Sequence, residues 1–134
     1  MARIIESRFG ETPFQRLLGH NQQIMERWSE LGDLLASEGR LLPELKEQVR
    51  RTLAQKNGCE YCRVKGRPDL EGVDEKTALA VGFTEVFLQQ KGNITDTVFD
   101  VLRDSFTEEE ISELCAFLCF TTASQYFGAI MKLT

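Results

Sequence analysis

Apolar residues recur at intervals of three and four along most of the chain, which is the spacing of helices buried on one face. No stretch alternates apolar and polar residues between hairpin turns, as the strands of an antiparallel sheet would. The pattern predicts an all-α protein whose residues 1–134 form a single domain, a bundle of about six to seven helices.

The first half of the chain contains two clear helical stripes. A segment rich in helix formers runs from Gln15 to Ser37, with a break at Gly19-His20-Asn21. Beyond the break, one apolar stripe is formed by Ile24, Trp28, Leu31 and Leu35. The next helix is predicted to open at Leu42-Pro43 and to close at Asn57-Gly58. Its apolar face consists of Leu45, Val49 and Leu53.

Three helices are predicted in the second half. The first runs from about Asp74 to Gln90 and ends at Lys91-Gly92-Asn93, and the second spans Asp96 to Arg103. Thr107 and Glu110 have the spacing of a capping box for the third.

The last predicted helix has no charged residue over the 18 positions from Leu114 to Met131. That length reaches the lower limit for a membrane span, but polar residues in its middle argue against one. They are Thr121, Thr122, Ser124 and Gln125. We therefore predict a helix that is central in the domain or buried between the subunits of a homo-oligomer, and no membrane association.

Composition narrows the function only a little. The chain is 42% hydrophobic and 28% charged, as in ordinary globular proteins. Its net charge of -5, with acidic and basic residues spread along the chain, argues against a nucleic-acid partner. Residues 1–8 are charged and contain no apolar signal-peptide core, so we predict a cytoplasmic protein.

Four cysteines in two close pairs point to metal or redox chemistry in such a protein. Cys59 and Cys62 have the Cys-x-x-Cys spacing at the start of a helix, which lets two sulfurs form a reversible disulfide. Peptide N–H groups there, with the cations Arg63 and Lys65, would favour the reactive thiolate.

A zinc site is the alternative, with Cys115 and Cys119 supplying two further ligands. That second pair lies in the most apolar helix, where free cysteine commonly serves as a small hydrophobe. We therefore interpret Cys115 and Cys119 as buried bystanders, and predict neither a metal nor another cofactor.

One string of residues resembles a known family. Leu42-Pro43, Leu45 and Glu47, followed by Asn57-Gly58-Cys59-Glu60-Tyr61-Cys62, is similar to the alkylhydroperoxidase D-like (AhpD-like) branch of the carboxymuconolactone decarboxylase family. The specific feature is Glu47 standing twelve positions before Cys59. The resemblance implies an AhpD-like helical bundle covering most of the chain.

The same resemblance implies roles for three residues. Cys62 would attack a peroxide, Cys59 would resolve it as a disulfide, and Glu47 would take part in a proton relay. Its spacing alone would instead pair Glu47 with Arg51, four residues later on the helix. The partners implied are a hydroperoxide substrate and a lipoyl or thioredoxin-like dithiol reductant.

The chain departs from the family at the relay histidine, whose position four residues after Cys62 is Gly66 here. Tyr61 also stands where the best characterised members have a histidine. We expect the only histidine, His20, to serve at a helix end or in packing.

The predicted function is thus an antioxidant, peroxiredoxin-like reduction of hydroperoxides. A disulfide exchange partner or redox sensor without peroxidase activity, and a zinc-stabilised module, remain as alternatives. Lactone decarboxylation ranks last, since that branch of the family does not use a cysteine pair.

Overall fold

The computed structural model describes residues 1–134 and is entirely helical, as predicted, with seven helices and no strand. The helices are α1 Pro13–Leu18, α2 Gln22–Ala36, α3 Pro43–Ala54, α4 Glu60–Arg63, α5 Glu75–Gln90, α6 Asp96–Arg103 and α7 Glu108–Ile130.

Local capping chemistry sets most of the helix starts. Pro43 occupies the first turn of α3, Asp74 accepts a hydrogen bond from the Thr77 N–H ahead of α5, and Thr107 and Glu110 form the predicted capping box of α7. The predicted break before α2 is also confirmed. These ends are encoded locally because each cap satisfies backbone N–H groups that a helix leaves unpaired.

Helix α3 ends at Ala54, three residues before the predicted stop at Asn57-Gly58. The N–H groups of Gln55 and Lys56 reach back only three residues, to Thr52 and Leu53, which tightens the chain beyond the helix. Gly58 follows with a φ of 78°, a backbone conformation suited to glycine, and turns the chain into α4.

The core lies where α3 packs against α5 and α7. The predicted face of α3 is confirmed, since Leu45, Val49 and Leu53 are at most 4% exposed. They meet Ala80 and Phe83 from α5, together with Leu114, Phe117 and Leu118 from α7. Each large side chain buried in this way contributes roughly 1.5–3 kcal/mol. The core thereby fixes α3 and α7, which both contact the short helix α4.

Helix α7 is central on one face only. The opposite face is exposed to solvent and consists of Ala116, Cys119, Ala123, Tyr126 and Ile130. Within a single chain α7 is therefore not buried on all sides. Burial of its exposed face between the subunits of a homo-oligomer stays a prediction. No helix of the structure combines the length and apolar character needed to cross a membrane.

Helix α2 packs against α7 through only half of its apolar stripe. Trp28 donates a hydrogen bond from Nε1 to Ser124 Oγ at 3.0 Å, and its ring packs against Phe120. Ile24 and Leu31 are about half exposed, at 54% and 45%. Helix α2 thus forms a wall beside α7 rather than a core helix.

Candidate functional site

The cysteine pair lies at the start of the short helix α4. Cys59 and Cys62 form a disulfide with their Cα atoms 5.2 Å apart, in agreement with the redox interpretation of their spacing. Cys59 caps the helix, and its sulfur accepts a hydrogen bond from the Cys62 N–H at 3.2 Å. The turn at Gly58 therefore brings both sulfurs to one place.

The two sulfurs differ in accessibility. Cys59 is fully buried, at 0% exposure, beneath α7, whereas Cys62 is partly exposed. A Cβ atom on Gly128 of α7 would lie 2.6 Å from Cys59 Sγ, so glycine is what allows the sulfur to fit there. A reagent from solvent can therefore reach Cys62 first.

Cys62 faces a cavity of about 590 Å³ between α1, α2, α3, α4 and α7. Much of its wall is apolar and comes from distant parts of the chain: Phe14, Leu35, Tyr61, Phe117 and Phe120. The charged residues at its wall are Lys46, Glu47, Arg50 and Lys65. A cavity of this size and lining suits a small organic molecule.

Glu47 lies at the wall of this cavity with its carboxylate bound by two arginines. Arg50 donates from Nε and Nη2 at 2.7 and 3.1 Å, and Arg51 donates from Nε at 2.9 Å. Partial burial would raise the pKa of Glu47, but these hydrogen bonds and the charges of Arg50 and Lys65 outweigh it and lower the pKa to about 2. The predicted i, i+4 pairing is present, and a carboxylate so firmly ionised is a weak proton acceptor.

Arg50 connects Glu47 to the cysteine pair, which sequence reasoning missed. Its Nη1 donates to the Cys62 carbonyl at 2.9 Å. The buried side chain of Gln125 in turn donates to the Arg50 carbonyl at 3.1 Å and accepts from Asn57 Nδ2 at 2.9 Å. This network ties α3, α7 and the turn before Cys59 together, so it positions the disulfide.

Neither Gly66 nor His20 belongs to the cavity. Gly66 has a φ of 87° and lines a separate cavity of about 430 Å³ on the other side of α4. His20 is exposed at the junction of α1 and α2, where its ring bonds to the Ile5 carbonyl, which fits the predicted helix-end role. The cavity beside Cys62 therefore contains no histidine.

The second cysteine pair is separate from the site. Cys115 is partly buried and Cys119 is exposed, so the prediction that both are buried is wrong: α7 turns this edge to solvent. Burial, and then the neighbouring Cys119, raises the pKa of the Cys115 thiol, which disfavours its thiolate. No group of three or more His, Cys, Asp or Glu side chains is arranged to hold a metal ion, so the zinc alternative has no ligand set.

Comparisons with protein-family models, curated proteins and solved structures gave no match for this chain. Its functional assignment therefore rests on the residues and geometry of the site itself.

Proposed function

We propose that this protein is a thiol-dependent oxidoreductase that reduces hydroperoxides through Cys62 and Cys59. The observation that carries the proposal is the unequal placement of the two sulfurs. Cys62 faces the apolar cavity, and Cys59 lies behind it, fully buried and already bonded to it. An attacking thiol needs access to substrate, whereas a resolving thiol needs access only to its partner.

The reaction follows from this placement. The Cys62 thiolate attacks the terminal oxygen of the hydroperoxide, the O–O bond breaks, and the alkoxide takes up a proton from solvent and leaves as the alcohol. The resulting Cys62 sulfenic acid is then attacked by Cys59, which forms the S–S bond and releases water. Two electrons pass from the cysteines to the peroxide, and a dithiol reductant, lipoyl or thioredoxin-like, returns them.

Positive charge beside a cysteine favours its thiolate. Arg50 donates to the Cys62 carbonyl, with Glu47 balancing its charge, and Lys65 lines the same cavity as Cys62. Glu47 holds the Arg50 guanidinium in place. Its predicted relay role requires a carboxylate that accepts protons, and the two arginines work against that.

We also propose membership of the AhpD-like branch named above. The all-helical fold supports the assignment. So does the position of Glu47, which binds Arg50, the residue that donates to the Cys62 carbonyl. The glycine at position 66 stays a departure from the family.

The test is a thiol count on the reduced protein before and after one equivalent of an organic hydroperoxide. We expect the wild type to lose two of its four thiols and Cys62→Ser to lose none. Cys59→Ser should accumulate a sulfenic acid that dimedone traps, and Cys119→Ser should behave like the wild type. An unchanged thiol count in the wild type would rule out the peroxidase.

Disulfide exchange without peroxidase activity is the second candidate. It is favoured by the cavity's lack of histidine and by the arginine-bound Glu47, which leave no evident proton relay beside Cys62. Such a protein would oxidise its pair with a disulfide such as oxidised glutathione and leave peroxide untouched. Parallel thiol counts with the two oxidants separate the candidates.

A further inference from the structure

Charge is segregated around the cysteine pair, although the chain as a whole is acidic. Residues 50–67 contain six basic residues and one acidic residue, Glu60, which gives this segment a net charge of +5. The chain's total is -5, so the remaining residues carry -10. The disulfide therefore lies in the one strongly positive region of a negative protein.

Four of these cations form no ion pair. Arg50 and Arg51 are committed to Glu47, whereas Lys56, Arg63, Lys65 and Arg67 are exposed and unpaired, and the last three follow directly after Cys62. We call these three residues the basic collar. Exposed cations that form no ion pair attract an approaching anion more strongly than paired ones do, although the Glu47 carboxylate offsets part of the charge of Lys65.

Val64 stands in the middle of the basic collar and is 79% exposed. It lines both the cavity of about 590 Å³ that contains Cys62 and the smaller one of about 430 Å³ beyond α4. An apolar side chain surrounded by charges and flanked by two concavities has the make-up of a protein-binding surface, with an apolar centre and a polar rim.

We propose that the basic collar and Val64 dock an acidic polypeptide carrying a dithiol, and that this polypeptide reduces the Cys59–Cys62 disulfide. The proposal rests on the redox function above and names the chemistry of its reductant. An acidic partner is favoured because it complements the collar's charge, and a thiolate brings a further negative charge to the same place. A polypeptide is favoured over a small anion because it can cover the exposed Val64 with an apolar side chain while its carboxylates meet the collar.

The exchange balances in two steps. The donor thiolate attacks Cys62 Sγ, the accessible sulfur, and the Cys59–Cys62 bond breaks to release the Cys59 thiolate, which takes up a proton. The second donor thiol then attacks the mixed disulfide, frees Cys62, and leaves as the donor's disulfide. Two electrons and two protons pass from donor to protein.

The experiment measures the second-order rate of reduction of the oxidised full-length protein by two synthetic peptides. Both contain reduced Cys-Gly-Pro-Cys, flanked in one by four glutamates and in the other by four glutamines. At low salt we expect the acidic peptide to react about tenfold faster. The difference should shrink in 0.5 M NaCl, where the Debye length falls to roughly 4 Å.

Substitutions of exposed cations test whether the basic collar causes the faster reaction of the acidic peptide. Arg63→Gln/Lys65→Gln/Arg67→Gln should remove the acidic peptide's advantage. The matched control, Arg8→Gln/Arg40→Gln/Lys91→Gln, removes three exposed cations elsewhere and should keep it. Val64→Ser should slow both peptides alike, because it removes only the apolar contact.

Three outcomes would overturn the proposal: equal rates for the two peptides, an equal loss in the control triple variant, or an equally large preference for dihydrolipoate over uncharged dihydrolipoamide. The last would assign the collar to small anions. Uncharged dithiothreitol should reduce all variants at one rate. Protein reduced with dithiothreitol is then assayed for peroxide consumption without any peptide. A failure of the peroxidase appears in that assay, whereas a failure of the docking surface appears only in the peptide reduction rates.

Discussion

The sharpest energetic prediction concerns Lys46, which is buried to 2% exposure in α3 at the wall of the cavity. Its ammonium lies 3.0 Å from Glu113 Oε2 and donates to the Ser37 carbonyl at 2.8 Å. Glu113 also accepts the N–H groups of Arg40 and Leu41, at 3.0 and 2.9 Å. The pair thus fastens the α2–α3 loop to α7, and we consider Lys46→Met, which keeps the side chain's length and removes its charge.

Removing one partner of a buried ion pair costs roughly 3–5 kcal/mol, because the other charge stays buried without its counter-ion. Glu113 keeps two backbone donors, and its side chain is 20% exposed, so the lower end applies. We expect Lys46→Met to lose about 3 kcal/mol of unfolding free energy. For a chain of this size that corresponds to a fall in Tm of about 10 °C.

A second pair provides the control. Lys76 of α5 forms an ion pair at 2.8 Å with Glu110, which lies in α7 as Glu113 does. The Lys76 side chain, however, is 44% exposed. Lys76→Met should therefore cost less than about 1 kcal/mol. Urea unfolding followed by circular dichroism measures both. Equal losses, or a loss below 1 kcal/mol for Lys46→Met, would refute the reasoning from burial.

Two further predictions concern the site. Because the pKa of Glu47 is lowered to about 2 by Arg50 and Arg51, its pairing stabilises the fold above about pH 4.5 and is lost as pH falls toward 2. Between pH 4.5 and 2 the unfolding free energy of Glu47→Gln should therefore fall by about 1 kcal/mol less than that of the wild type, allowing for solvent screening. Gly128→Ala should destabilise the protein by about 1 kcal/mol and slow disulfide formation, since the added Cβ displaces Cys59 Sγ.

Each has its control. Glu60→Gln removes an exposed carboxylate that forms no ion pair and should leave the acid unfolding curve unchanged; a flattening equal to that of Glu47→Gln would contradict the first prediction. Gly82→Ala, on α5 with nothing within 4 Å of the new Cβ, should stabilise the fold by up to about 1 kcal/mol through helix propensity. A similar gain in Gly128→Ala would contradict the second prediction.

The helices could be predicted where their ends are encoded by neighbouring residues. Asp74 and Thr107 cap the helices that follow them through bonds spanning three residues, so the sequence contains the whole signal. The Cys59–Cys62 disulfide was predictable for the same reason. The exposed edge of α7 was not, because an uncharged helix gives no pattern by which to tell its two faces apart.

The cavity could not be predicted, because its walls meet only through tertiary packing. Leu35 and Phe120 are far apart in the chain and become neighbours of Cys62 when α2 leans on α7. The sequence does hint at a role for Gln125, because an amide side chain in an uncharged helix needs hydrogen-bond partners when it is buried. Only the structure shows that it binds Asn57 and the Arg50 backbone.

The burial of Cys59 beneath its partner also determines how the protein recovers from covalent capture. Any monothiol that attacks the disulfide must become attached to Cys62, the reachable sulfur, and leaves Cys59 directly behind the new bond. Cys59 can then expel the attached group and close the ring again. The site is therefore self-clearing: Cys59 competes from directly behind the new bond with any second thiol from solution, and a donor that carries its own second thiol competes with Cys59 best.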